Sequence, residues 1–314
     1  MPPSVTWMKR GDLVTYKKVT TIARSRSVND EHGVLEVWSI DQNEVELHHD
    51  IKIPSSPLCT AWFGLISNGY EDEETGNLLA VGTKDTSIIQ IWDLDNINAV
   101  EPRYILGDTN GHTDSVLALA IRKPFALASA SADKLIKIWD LITGTCKITL
   151  EHHSDKVQAF AWSDHIVPLF ISGSCDRIVV EKDVRSPTHT QILVTDSVES
   201  LICHPLFHVV GLKNGMVEGY DIRNLSSSLF TLPAHDGSVT SVCYNPQHTN
   251  ILATASLDGT VKLWDLSNNQ LACVASKNPG VGGIYSISFS KDNPSIMAIG
   301  GESGILQIWD TSFE

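Results

Sequence analysis

The sequence lacks the features that mark several function classes. No run of 18 apolar residues occurs among its 314 residues, so no helical membrane span is expected. The opening Met1-Pro2-Pro3-Ser4-Val5-Thr6-Trp7 has no apolar core of the kind a secretory leader needs. Basic residues are in deficit, 23 Lys+Arg against 37 Asp+Glu, for a net charge of −14. That balance argues against a broad basic surface for nucleic acid. The six cysteines, at 59, 146, 175, 203, 243 and 273, form no C-x-x-C pair, which excludes zinc-ribbon and thioredoxin motifs. They are expected as reduced thiols of a nuclear or cytosolic protein, a setting in which the sequon Asn224-Leu225-Ser226 carries no weight. No Walker P-loop and no glycine-rich dinucleotide turn is present. What remains, 42% apolar and 19% charged residues, is the composition of a soluble folded chain.

The strongest positive signal is an internal repeat. Leu35-Glu36-Val37-Trp38, Ile89-Gln90-Ile91-Trp92-Asp93, Ile136-Lys137-Ile138-Trp139-Asp140, Val261-Lys262-Leu263-Trp264-Asp265 and Leu306-Gln307-Ile308-Trp309-Asp310 are alternating strands closed by Trp. Val179-Val180-Glu181-Lys182-Asp183 and Val217-Glu218-Gly219-Tyr220-Asp221 are weaker copies. The strand ends therefore fall near 38, 92, 139, 182, 220, 264 and 309, a spacing of about 45 residues and the period of a four-stranded unit. Within residues 112–140 the order is strand, turn, strand, hairpin, strand, and residues 235–265 repeat it. Asp-Gly pairs such as Asp258-Gly259 supply the hairpin conformation.

These residues resemble the WD40 β-propeller family along nearly the whole chain. The resemblance implies an all-β, seven-bladed propeller with four antiparallel strands per blade. Residues 1–314 then form one domain, with 1–12 as an N-terminal extension. An open stack of sheets exposes strand edges, and a ring removes them. Because little sequence follows Asp310, the last blade is expected to be closed by an N-terminal strand, Leu13–Tyr16 or Val19–Ala23. The family also implies polar tetrads inside the blades: His112, Ser129, Asp133 and Trp139, and His235, Thr254, Asp258 and Trp264. A partial set, His153, Ser172 and Asp176, has Lys182 at the Trp position. The fifth unit has Tyr220 and no His, and the seventh has Ser303 at the Asp position. A Ser-His-Asp set resembles a hydrolase triad, but repetition once per blade marks it as internal bracing, and no enzymatic activity is expected.

Several stretches are more specific. Ser4-Val5-Thr6-Trp7-Met8-Lys9-Arg10-Gly11, His48-His49-Asp50 through Pro57-Leu58-Cys59, Thr75-Gly76-Asn77 and Glu101-Pro102 are similar, in order, to segments of the periodic tryptophan protein 1 family. This resemblance implies a non-catalytic scaffold in nucleolar ribosome biogenesis, in early large-subunit assembly and rRNA gene transcription. Its partners would be ribosome assembly proteins and pre-ribosomal RNA, in the nucleus and nucleolus, with no cofactor, no membrane and a monomeric state. The alternative is a chromatin or histone-tail reader using the central propeller mouth. Many relatives carry an acidic insert after the N-terminal motif and a lysine-rich insert before the third blade; here only Asp108-Thr109-Asn110 separates Gly107 from Gly111.

In WD40 proteins, positions three and five beyond each loop His point toward the binding face. They correspond to Ser115 and Leu117, Lys156 and Gln158, and Ser238 and Thr240. By alignment of the less regular units, Glu199 and Tyr285 join them. The residue before each hairpin Asp adds Ala132, Cys175 and Leu257, with Glu302 at the equivalent place. No ring of aromatics for a methyl-lysine cage is visible. The adjacent pairs His48-His49 and His152-His153 are expected to point to opposite faces of a strand, so no metal site is expected. Glu71-Asp72-Glu73-Glu74 reads as a solvated loop. Lys9-Arg10, Lys17-Lys18, Arg24 and Arg26 make a locally basic N-terminal region that is a candidate for phosphate contact. Trp62, Trp162, Tyr244 and Phe289, near the ends of first strands, are expected in the core.

Overall fold

A computed structural model describes residues 4–7, 20–27, 32–41, 44–66, 74–84, 86–122, 125–163, 166, 168–204, 206–267, 271–290 and 293–313. They gather into two compact units, residues 1–129 with 136–150, and residues 130–135 with 151–314.

Seven antiparallel sheets follow one another along the chain, and they are the blades expected from the repeat. The first holds β1 (Ser4–Trp7), β2 (Thr20–Ser27), β3 (Gly33–Asp41) and β4 (Glu44–Ile53). The second holds β5 (Pro57–Ile66), β6 (Glu74–Thr83), β7 (Ile89–Asp93) and β8 (Tyr104–Leu106). The third holds β9 (Val116–Arg122), β10 (Ala126–Ser131), β11 (Ile136–Asp140) and β12 (Thr145–Leu150). The fourth holds β13 (Val157–Trp162), β14 (Leu169–Ser174), β15 (Ile178–Asp183) and β16 (Thr190–Leu193). The fifth holds β17 (Val198–Cys203), β18 (Phe207–Leu212), β19 (Met216–Asp221) and β20 (Phe230–Pro233). The sixth holds β21 (Val239–Tyr244), β22 (Ile251–Ser256), β23 (Val261–Asp265) and β24 (Ala272–Lys277). The seventh holds β25 (Ile284–Phe289), β26 (Ile296–Gly301) and β27 (Leu306–Asp310).

Two expectations about the N-terminus need correction. Ser4–Trp7, read as part of an extension, is a strand that pairs antiparallel with β2. Val19–Ala23, a candidate to close the last blade, falls largely in β2, whose two edges are taken by β1 and β3. A strand paired on both sides has no ladder groups left for another sheet. The other candidate, Leu13–Tyr16, lies outside the described residues, as does most of the acidic run at 71–74. Among the described residues the seventh sheet has three strands.

Within each unit the cores lie between consecutive sheets. Leu35, Val37, Ile51, Leu79, Val81 and Trp92 pack the first sheet on the second, and Leu78, Ile91, Val116, Leu127 and Trp139 pack the second on the third. In the other unit, Ile171, Val179, Leu201 and Val210 join the fourth and fifth sheets. Leu263, Ile287, Met297 and Trp309 join the sixth and seventh. A sheet covered on both faces needs apolar residues at successive positions rather than at alternate ones. This is why β18, Phe-His-Val-Val-Gly-Leu, is buried throughout. Trp162 and Phe289 are buried as expected, while Trp62 is half-buried against the core of the first two sheets.

The hairpins share a geometry. One slot has φ between about +65° and +85° in five blades: Lys134 (75°), Arg177 (65°), Gly215 (85°), Gly259 (82°) and Gly304 (69°). Glycine fills it in three of the five because this left-handed conformation crowds a Cβ.

Candidate functional site

The tetrads come first because they decide whether this chain carries triad chemistry. In the sixth blade the Trp264 indole N–H donates to Thr254 Oγ1 at 2.9 Å. Thr254 Oγ1 and His235 Nε2 are 2.8 Å apart, and His235 Nδ1 lies 3.0 Å from Asp258 Oδ2. A carboxylate only accepts, so Nδ1 carries the proton of the neutral ring and donates to Asp258; Nε2 then accepts from the Thr254 hydroxyl, whose oxygen accepts the indole N–H. The third blade places Ser129 Oγ 2.7 Å from His112 Nε2 and 2.8 Å from the Trp139 indole nitrogen, and Asp133 accepts the Leu135 N–H. In the fourth, His153 Nε2 is 2.9 Å from Ser172 Oγ and Nδ1 is 3.1 Å from Asp176 Oδ2.

The wiring is that of a hydrolase triad, but the nucleophile is out of reach. Ser129, Ser172 and Thr254 are each 0% exposed. In two of the three sets the oxygen also accepts an indole N–H, so its lone pairs point into the blade. Burial lowers the His153 and His235 pKa values, against the pull of Asp176 and Asp258, which keeps the rings neutral. Asp258 and Asp176 sit below the usual carboxylate range although burial works against them. Thr260 and His235 donate to the first, and Ser154, Ile178 and His153 to the second.

The irregular blades replace this brace in a way that sequence reading missed. Where the second-strand residue facing the position two before the aromatic is Arg24, Val81 or Val210 rather than Ser or Thr, the acceptor comes from that position. Trp92 N–H donates to Gln90 Oε1 at 3.0 Å, and Trp38 N–H to Glu36 Oε2 at 3.1 Å. In the fifth blade the Tyr220 hydroxyl donates to Glu218 Oε2 at 2.5 Å, while Thr195 donates to the other oxygen. The signal was present as Glu or Gln at that offset in the first, second and fifth units, against Lys in the third and sixth. Glu36 also takes Arg24 and Arg26. Those two arginines are therefore committed to a carboxylate and are not a free phosphate patch; Lys9-Arg10 and Lys17-Lys18 lie outside the described residues.

The loop-edge positions converge through two recurring devices. First, the register of β13, β17, β21 and β25 slips after its opening residue, leaving Gln158, Glu199, Thr240 and Tyr285 as unpaired bulge residues. A bulge re-aims its side chain, so all four leave the ladder at the same edge of their sheets. Second, one backbone bond ties the hairpin to the loop that enters the first strand. Cys175 N–H donates to Lys156 O, Leu257 to Ser238 O, and Glu302 to Gly283 O, at 2.9, 3.1 and 2.8 Å. The same bond joins Lys213 to Ser197 and Lys84 to Ser56, so Lys84 and Lys213 belong to this set and were missed. Their hairpins do not carry the Asp-Gly or Asp-Lys spelling of the regular units.

Lys156, Leu257 and Glu302 are exposed, and Ser115, Leu117, Ala132, Gln158, Cys175, Glu199, Ser238, Thr240 and Tyr285 are half-buried. The Thr240 hydroxyl is spent on the Ile284 carbonyl at 2.5 Å, which removes it as a ligand donor. Around Cys175, burial raises the thiol pKa, Glu199 and Asp155 raise it further, and Lys156 and Lys213 oppose them. Charges of both signs therefore alternate along the edge of the fourth and fifth blades, a pattern suited to a mixed-charge protein surface. Burial of their thiols pushes Cys59 and the half-buried Cys243 up to about 12, which makes them unreactive packing residues.

The His48-His49 expectation is also corrected. Val37 pairs with His49 and Trp38 with Leu47, so His48 is a bulge residue. The bulge suspends the alternation of side chains, and the two rings meet with Nδ1 atoms 2.8 Å apart, a hydrogen bond between imidazoles. No group of three His, Cys, Asp or Glu side chains able to hold a metal occurs among the described residues.

Three segments, 103–140, 226–265 and 272–310, match the family model for WD domain, G-beta repeat. The chain is 29% identical over 296 residues to the Periodic tryptophan protein 1 homolog of Drosophila melanogaster, covering 88% of this chain and 64% of that protein. It is 30% identical over 315 residues to Periodic tryptophan protein 1 of Saccharomyces cerevisiae, covering 84% and 53%. The Ribosome biogenesis protein WDR12 homolog of Trichoplax adhaerens is 24% identical, over 77% of this chain and 63% of that protein. The chain thus spans between about half and two thirds of the length of these relatives. Its repeats, its seven blades and these similarities identify it as a WD40-repeat protein, similar along most of its length to Periodic tryptophan protein 1 homologues.

Proposed function

We propose that this chain is a non-catalytic scaffold of ribosome biogenesis in the nucleus and nucleolus. It would act in early large-subunit assembly and rRNA gene transcription by docking assembly proteins and pre-ribosomal RNA. The observation that carries the reading is the similarity along 84–88% of the chain to proteins named Periodic tryptophan protein 1, beside a relative named for ribosome biogenesis. The burial of every triad-like hydroxyl supports a docking role over an enzymatic one. Within the second unit we assign the docking edge to Ala132, Lys156, Gln158, Cys175, Glu199, Lys213, Ser238, Leu257, Tyr285 and Glu302; Ser115 and Leu117 are separate candidates on the first unit. We take residues 1–314 as one domain working as a monomer.

Affinity capture of the tagged chain, with precursor rRNA measured after its depletion, tests this. Recovery of large-subunit precursors and accumulation of unprocessed rRNA are expected. Normal processing together with recovery of nucleosomes would overturn the reading in favour of a histone-tail reader. Reversing Lys156 and Lys213 to Glu should reduce partner recovery while leaving the melting temperature unchanged.

A further inference from the structure

The fourth blade carries a lysine where its neighbours carry an aromatic ring. Lys182, on β15, is 5% exposed. A buried ammonium needs partners, and those of Lys182 are two backbone carbonyls, Ser186 O at 2.7 Å and Thr188 O at 3.3 Å. They occupy two of its three N–H donors. The acid within its electrostatic reach, Asp183, is already clasped by the Arg185 guanidinium at 2.7 Å.

Two imidazoles stand beside this ammonium. The rings of His152 and His189 lie with centroids 4.4 Å apart and planes tilted by 35°. His152 Nε2 is buried with no hydrogen-bond partner, an unusual state for a polar atom. Burial lowers the His152 pKa to about 4, and His189, Lys182 and His153 push it the same way. No acid offsets them: Asp176, the nearest carboxylate to His153, is spent on that ring and on the Ser154 and Ile178 amides. His189 is exposed, and its Nε2 accepts from the Gln191 amide at 3.2 Å. An ammonium and the N–H of each neutral imidazole thus lie in one region, with Asp183 and Asp176 already paired, a donor set suited to an anion.

We propose that Lys182, His152 and His189 form a binding site for a phosphate-class oxyanion beside the 184–189 loop of the fourth blade. The anion takes the remaining ammonium hydrogen and an N–H from each imidazole. Its charge favours protonated rings, so binding takes up protons and strengthens as the pH falls from 7.5 to 6. The site stands whether or not the scaffold reading holds. Free phosphate and a phosphate monoester on a peptide share this chemistry.

Sulfate, which does not titrate in this range, is the first probe. Calorimetric titration at fixed ionic strength is run in two buffers of different ionisation enthalpy, with the imidazole resonances of His152 and His189 followed by NMR. Saturable binding in the range of about 1–10 mM, with net proton uptake and shifts at both rings, is expected. Inorganic phosphate and a phosphoserine peptide are then compared. Tighter peptide binding identifies the monoester as the ligand, and equal binding identifies free phosphate; either supports the site. Lys182→Met should abolish binding. If that variant does not fold, His189→Asn, at an exposed position, should weaken binding and reduce the proton uptake. The absence of saturable binding beyond that of chloride at equal ionic strength, or binding unchanged in both variants, overturns the proposal.

Discussion

Thr254→Val is the sharpest test of the brace. Valine keeps the shape of threonine and removes one oxygen. That oxygen accepts the Trp264 indole at 2.9 Å and meets His235 Nε2 at 2.8 Å, in a residue that is 0% exposed. No water reaches the site, so both groups lose their partner outright. An orphaned buried group costs about 1–3 kcal/mol, so the pair predicts a loss of about 2–6 kcal/mol. Thr254→Ser is the control: it keeps the oxygen and deletes a methyl, for about 1 kcal/mol. Unfolding entropy scales with length, and for a chain of this size 1 kcal/mol moves the midpoint by about 1.5 °C. Valine should therefore melt about 3–9 °C below wild type, and serine about 1–2 °C below. Differential scanning calorimetry at pH 7.5 measures both. If valine melts at or above serine, the hydroxyl is not the keystone of the blade and the reasoning fails.

Further outcomes are expected. Glu218→Leu strands the buried Tyr220 hydroxyl and should destabilise by about 1–3 kcal/mol, whereas Glu218→Gln keeps a carbonyl acceptor and should cost less; equal urea midpoints for the two would refute the substituted brace. Gly215→Ala places a Cβ at φ +85° against the His235 carbonyl and should lower the stability by at least about 1–2 kcal/mol, with an unchanged melting curve counting against the hairpin geometry. Stability should be flat between pH 8 and 7 and fall below about 6.5. His153 and His235 have native values under their ordinary 6.5, so the unfolded chain binds more protons there. Asp176 and Asp258, held below 3.8, extend the loss as the pH falls further, and a melting temperature that rises from pH 7 to 5.5 would contradict this.

How much was legible depended on how far apart the cooperating residues lie in sequence. The blades were readable because a strand ending in Trp-Asp advertises itself within five residues. The regular tetrads followed from fixed offsets between Ser129, Asp133 and Trp139. Gln90 and Glu218 were missed although only two residues from Trp92 and Tyr220, because two neighbours on one face of a strand bond only when the facing strand offers no hydroxyl. His48 was misplaced because alternation was assumed, and a bulge is invisible until the partner strand is paired.

By itself the sequence determined the period, the all-β class, the seven units and the identity of the regular braces, since each is a local pattern repeated often enough to be recognised. Tertiary structure alone decided that Ser4–Trp7 joins the first sheet, that four bulges aim Gln158, Glu199, Thr240 and Tyr285 to one edge, and that the His152 and His189 rings meet within electrostatic reach of Lys182. Those outcomes depend on which backbone groups remain unpaired once the strands have registered, and register is set by packing between segments tens of residues apart.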